Sequence, residues 1–163
     1  KWFFPLIYKN LSISDDLETS RSKIREAMKE IKYGRYALPG AVELLEHLKK
    51  REFILGVISN NDGRTNEKCE EVGIGKYFDI IVDSTNLGLV KPDSSIFRFV
   101  LNRLNIEASQ AIHIGDLFGS DVMGGLNAGL DVIWVNHRQI QKPDDKPVVE
   151  VKRLSEVKTH ITN

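Results

Sequence analysis

Apolar and polar positions change period along the 163-residue chain. From about Asp15 to Ile31, Leu17, Ile24, Ala27, Met28 and Ile31 recur at helical spacing behind a Ser14-Asp15 start that supplies capping residues, which predicts a largely polar helix. In LPGAVELLEHLKKR, Pro39 opens a second helix with Ala41, Val42, Leu44, Leu45 and Leu48 along one side. The pattern then turns to short apolar runs. FILGVIS, Phe53–Ser59, is nearly continuous, as expected of a strand buried on both faces of a parallel sheet. A helix from about Thr65 to Val72 ends at Gly73, a favourable C-terminal residue. YFDIIVDS supplies the next strand, Pro92–Leu104 a helix, AIHI a strand, Gly119–Ala128 a helix and DVIWVN a strand. After His137 a polar loop, RQIQKPDDKP, leads to a short strand, VVEV, and a closing helix, LSEVKTHI. The β-α-β alternation predicts an α/β fold built on a doubly wound parallel sheet.

Composition narrows the function classes. The chain is 41% hydrophobic and 28% charged, that of a globular domain. Lys+Arg and Asp+Glu are both 23, so neither nucleic acid nor an anionic membrane is expected as the main partner. No apolar run reaches the roughly 18 residues of a membrane helix, and the start, KWFFPLIYKN, lacks the long apolar centre of a signal peptide. The single cysteine, Cys69, excludes an internal disulfide framework and agrees with a reducing, cytoplasmic setting. The absence of an initial Met and the apolar opening WFFPLIY lead to the expectation that the chain is a fragment of something longer.

The strand ends carry the chemistry. In open α/β sheets ligands sit outside the carboxyl ends of the strands. There the sequence sets Ser59-Asn60-Asn61, then Lys91 before a helix, then Asp116 after AIHIG, with Asp121 five positions on. A hydroxyl with nearby backbone N–H groups holds phosphate oxygens, an ammonium neutralises them, and carboxylates hold Mg²⁺. Taken singly, Ser59 and the two asparagines read as loop starters, Lys91 as a solvated charge, and the two acids as a turn residue and a helix-start acid. Taken in order, the set suits phosphoryl transfer.

That order resembles the haloacid dehalogenase-like (HAD-like) hydrolases, most of them Mg²⁺-dependent phosphatases. GVISNND is similar to the family's second motif, GLVKPDSSIF to its third and HIGDLFGSDVMGGLNAG to its fourth, and the resemblance covers about Leu38 to Val135. It implies a Rossmann-type core with a helical cap. Residues 1–37 are then the later part of a partial cap, and residues 38–163 a core lacking its first strand. By the same resemblance Ser59 hydrogen-bonds the transferring phosphoryl group and Asn60 helps to position it. Lys91 stabilises its charge, Asp116 is a Mg²⁺ ligand, and Asp121 supports the metal site or orients Lys91. Gly124 and Gly125 mark close helix packing.

The chain departs from the family in one respect. The first motif is an Asp-x-Asp whose first acid attacks phosphorus to give an aspartyl-phosphate and whose second is the general acid and base. No Asp-x-Asp occurs in these residues; Asp15-Asp16 is adjacent and lies in a helical context. The expected reading is a phosphatase of small phosphorylated metabolites whose nucleophile lies on an upstream segment, inactive as this chain alone. The alternative is a homologue that binds a phosphate ligand or a protein without catalysis. A metal-free dehalogenase is disfavoured by the acids of the fourth motif. A phosphorelay receiver domain is disfavoured because its acids precede the hydroxyl and lysine in sequence. A dinucleotide module lacks its GxGxxG, and a P-loop its GK[ST].

Overall fold

The computed structural model describes residues 36–142 and 146–161, with Asp16, Glu18–Ser20, Ser22 and Lys23. The chain divides into two compact units, Lys1–Arg35 and Tyr36–Asn163. In the first unit Glu18–Ser20 are helical, and the Asp16 carboxylate accepts the Glu18 and Thr19 amides at 2.9 and 3.0 Å, an N-cap arrangement. Ser14 and Asp15, expected to start this helix, lie outside the described residues, as does most of the expected cap.

The second unit alternates as expected. It runs α1 (Ala41–Lys50), β1 (Gly56–Ser59), α2 (Thr65–Glu71), β2 (Ile80–Asp83), α3 (Ser84–Leu87), α4 (Ser94–Leu104) and β3 (Ile112–Gly115). It continues with α5 (Met123–Asn127), β4 (Asp131–Val135), β5 (Val149–Val151) and α6 (Leu154–Val157). Every strand pairing is parallel: β1 with β2, β3 with β4, and β4 with β5. β4 shows why its sequence is continuously apolar. Ile133 and Val135 pack with Leu44 and Leu48 of α1 and Val157 of α6, while Val132 and Trp134 pack with Val122 in another cluster. A strand covered on both faces has no polar side to show.

Two expected boundaries move for physical reasons. Pro39 does not open α1; Gly40 intervenes at φ 82°, a left-handed conformation that glycine adopts at little cost, and the helix starts at Ala41. The helix expected over Gly119–Ala128 is two elements, a π-helical turn at Phe118–Val122 and then α5. Glycines 124 and 125 explain the tight seat of α5. A Cβ on Gly124 would stand 2.7 Å from the Phe97 ring and 3.0 Å from Pro92 Cα, and one on Gly125 2.8 Å from Val132.

Among the described residues the strands form two pieces, β1-β2 and β3-β4-β5, rather than one sheet. Among the described residues, β1 and β3 each have a strand partner on one edge only. Between those two strands runs an apolar groove of about 770 Å³, walled by Leu55 and Ile58 on one side and Ile112 and Ile114 on the other, with Val100 and Leu101 of α4 on its floor. No helix among the described residues is long and apolar enough to cross a membrane.

Candidate active site

Lys91 joins the carboxyl ends of β1 and β3. Its Nζ donates to the Ile58 carbonyl at 2.5 Å, one residue before Ser59, and lies 2.7 Å from Asp121 Oδ1. Both side chains are withdrawn from water, at 10% and 6% exposure, so solvent screens this ion pair little. The lysine that, taken singly, reads as a solvated charge is therefore a cation whose side chain is nine-tenths withdrawn from water.

Its backbone is held as well. The Asn60 carboxamide donates from Nδ2 to the Lys91 carbonyl and accepts the Lys91 N–H at Oδ1, both at 2.9 Å. Asn60 is thus brought against Lys91, and its amide fixes the loop that carries the cation. Ser59 ends β1, half-buried and in register with Asp83.

The π-helical turn aims Asp121. Its N–H donates to the Leu117 carbonyl at 2.7 Å, and its Oδ2 accepts the Leu117 N–H at 2.9 Å, folding the carboxylate back over the end of β3. Only glycine fits beneath it: a Cβ on Gly115 would stand 2.4 Å from Asp121 Cβ. A π turn inside a helical segment is a frequent device at functional sites, and nothing in the residue periodicity distinguishes it from an α-helical start.

Burial alone would push the Asp121 carboxyl up, but the facing His113 imidazole, the Lys91 ammonium and the Leu117 amide together hold it below the usual carboxylate range. A carboxyl lowered in the folded state stabilises above its unfolded value near pH 4 and loses that contribution as the pH falls further. Asp121→Asn is accordingly expected to flatten the decline of unfolding free energy below about pH 4, read by urea titration at several pH values. An unchanged acid slope in the variant refutes the assignment.

Asp116 stands at the rim, half-exposed, with Arg138 Nη2 2.9 Å from its Oδ2 and its carbonyl accepting the buried Trp134 indole N–H at 3.1 Å. Of the two acids expected at a metal, Asp121 has both oxygens engaged, with Lys91 and the Leu117 amide. Asp116 is the carboxylate turned toward solvent. Among the described residues no three His, Cys, Asp or Glu side chains gather into a cage. Mg²⁺ needs none, since it keeps several waters and takes one or two carboxylates plus phosphate oxygens. The donor chemistry at Asp116 fits it.

Sequence reasoning missed Asp83. This buried acid ends β2 and accepts the Thr65 N–H at 3.2 Å, the Thr65 hydroxyl and the Thr85 N–H at 2.9 Å. The Thr85 hydroxyl in turn donates to the Asn61 carbonyl, and Lys68 Nζ to Asn61 Oδ1 at 2.9 Å. Asp83 therefore anchors both ends of the loop that follows Ser59. An Asp directly before Ser-Thr at a strand end is the signal of such a cap.

Residues 6–135 match the family model of the haloacid dehalogenase-like hydrolases. The chain belongs to that family. Among HAD relatives, the pyrimidine 5'-nucleotidase YjjG of Escherichia coli is 35% identical over 123 residues, 74% of this chain and 54% of that protein. A crystal structure of 2-haloacid dehalogenase from Pseudomonas syringae is 32% identical with a TM-score of 0.66, over 75% of this chain and 51% of that one. The HAD-hydrolase YfnB of Bacillus subtilis, solved bound to magnesium, is 29% identical with a TM-score of 0.70, over 76% and 55%. The chain spans about half the length of the curated relatives it matches. HAD-like proteins with named phosphatase-type activities are thus among its relatives.

Proposed function

We propose that this chain is the phosphate-handling part of a Mg²⁺-dependent phosphatase that acts on a small phosphorylated metabolite. The observation that carries the reading is the Lys91 ammonium, buried, fixed at both backbone and side chain, and held where β1 and β3 end. A phosphoryl group in transfer spreads negative charge over its oxygens, and pre-positioned cations and donors match that charge without reorganising. Lys91 supplies the fixed cation, Ser59 the hydroxyl donor and Asp116 the carboxylate that would hold Mg²⁺. When bound, Mg²⁺ neutralises phosphate charge and orients the group. Asn60 and Asp121 keep Lys91 in place.

The nucleophile is not in these residues, and we assign it to an upstream segment of the same protein ending in Asp-x-Asp. The groove between β1 and β3 supports this: a parallel strand lying there would pair with both edges and end beside Ser59 and Asp116. The small phosphorylated substrate and that segment are the partners proposed, with no nucleic acid or membrane. The compartment proposed is the cytoplasm, on a lone buried thiol, Cys69.

The test is a titration of the 163-residue protein with inorganic phosphate in the presence of Mg²⁺, followed by amide NMR, beside an assay on p-nitrophenyl phosphate. Saturable shifts at Ser59, Asn60 and Lys91 are expected, with no turnover until the chain is extended to include Asp-x-Asp. Amides that phosphate leaves unmoved overturn the phosphate assignment. Turnover by the 163 residues, abolished in Asp116→Ala, overturns the missing-nucleophile assignment. Chloride released from a 2-haloacid by the extended chain without Mg²⁺ would favour the dehalogenase reading instead.

A further inference from the structure

His113 is a polar residue in the middle of an apolar strand, and so far it has entered only as a group facing Asp121. Its side chain is 12% exposed. Its Nε2 has no hydrogen-bond partner, and the group it faces is Asp121 Oδ1, the oxygen that holds the Lys91 ammonium. The unpartnered nitrogen and the carboxylate oxygen are 3.7 Å apart. That is just beyond hydrogen-bond range, and a small closing movement would give Nε2 its partner and Oδ1 a second donor beside Lys91.

The ring is also clamped so that it faces this way. Phe97 of α4 meets it edge-on, with centroids 4.9 Å apart and planes at 89°. Gly125 of α5 lies so close that a Cβ there would stand 3.3 Å from His113 Cβ. Two helices therefore fix the imidazole against the carboxylate that fixes Lys91. A histidine that served only to fill space would not need a nitrogen aimed at the one buried acid of this end of β3.

We propose that His113 is a positioning residue: its Nε2–H donates to Asp121 Oδ1 and, with the Leu117 amide on Oδ2, locks the carboxylate so that Lys91 Nζ stays directed at the phosphate position. The role of Lys91 toward phosphate rests on the proposed function. The hydrogen bond itself does not.

The experiment has two readouts. Long-range ¹H–¹⁵N spectra of the 163-residue protein report which imidazole nitrogen carries the proton. A proton on Nε2, coupled to a slowly exchanging Lys91 ammonium signal, is the expected result, and a bare Nε2 overturns the proposal whether or not phosphate binds. His113→Leu, which keeps the bulk and loses the donor, is expected to weaken inorganic phosphate binding about tenfold and to speed exchange of the Lys91 ammonium protons. His113→Gln, which keeps a donor, is expected to stay within about twofold of the parent. Leu and Gln variants that bind phosphate alike reduce His113 to packing and overturn the proposal. If the Leu variant does not fold, the tautomer measurement and the Gln variant decide.

Discussion

Replacing Lys91 by Met is expected to destabilise the protein by about 3–5 kcal/mol, because it leaves the Asp121 carboxylate buried at 6% exposure without its cation. Met keeps the length and apolar stem of the side chain, so the loss is electrostatic rather than steric. For a domain of this size such a change lowers the thermal midpoint by about 10 °C or more. The double variant Lys91→Met/Asp121→Asn separates the causes. It removes the uncompensated charge and is expected to recover more than half of the lost stability, since removing both partners costs less than removing one. Phosphate binding behaves differently: it is expected to be lost in the single variant and to remain lost in the double variant. Urea unfolding and the phosphate titration measure the two quantities independently. A single variant that costs less than about 1 kcal/mol would mean that water screens the pair, as it does at exposed sites, and that the site is more open than its geometry indicates.

The same residue shows what the sequence could and could not reveal. The spacing of Ser59, Lys91, Asp116 and Asp121 after three successive apolar runs points to one rim, because a parallel β-α-β fold puts all carboxyl ends on one side. The apolar runs themselves were legible because β4 is packed on both faces. The local devices were not. The π-helical turn at Phe118–Val122 goes with a carboxylate folded back onto the Leu117 amide four residues before it, a local contact with no periodicity of its own. The Asn60 side chain, expected near phosphate, closes instead on both backbone groups of Lys91, which lies 31 positions away. Pro39 reads as a helix start, but Gly40, free to take a positive φ, sets the boundary two residues later, at Ala41. Asp83 carries only the ordinary signal of a cap, a strand-end acid before Ser-Thr, and it does cap α3 while also holding Thr65.

These devices share a purpose. Lys91 is fixed through Asn60 at its backbone and through Ile58 and Asp121 at its ammonium, and Asp121 is fixed by the turn that follows Asp116. The cation is thereby held by groups from both pieces of the sheet. An arrangement that spans the groove between β1 and β3 can keep its geometry only if both strand ends stay in register with it.

Gly115→Ala tests that dependence most directly. Its added methyl would lie 2.4 Å from Asp121 Cβ, 2.6 Å from Cγ and 2.8 Å from Oδ2, closer than nonbonded carbon atoms approach. Cβ is tied to the backbone of the π turn and cannot swing aside as the tip of a long side chain would. Either the turn moves off the strand or the strand end bends, and in both cases the Asp121–Lys91 contact lengthens. The expected cost is about 3 kcal/mol, at the upper end for overpacking by one methyl. Gly129→Ala is the contrast: its Cβ would meet nothing closer than 3.6 Å, although its φ of 84° still strains the backbone. Both variants are therefore expected to lose stability, but only Gly115→Ala should also lose phosphate binding and the protected Lys91 ammonium signal. A Gly115→Ala protein that retained both would show that Asp121 can leave its seat on β3 without releasing Lys91, and the π turn would then be a packing feature rather than the support of the site.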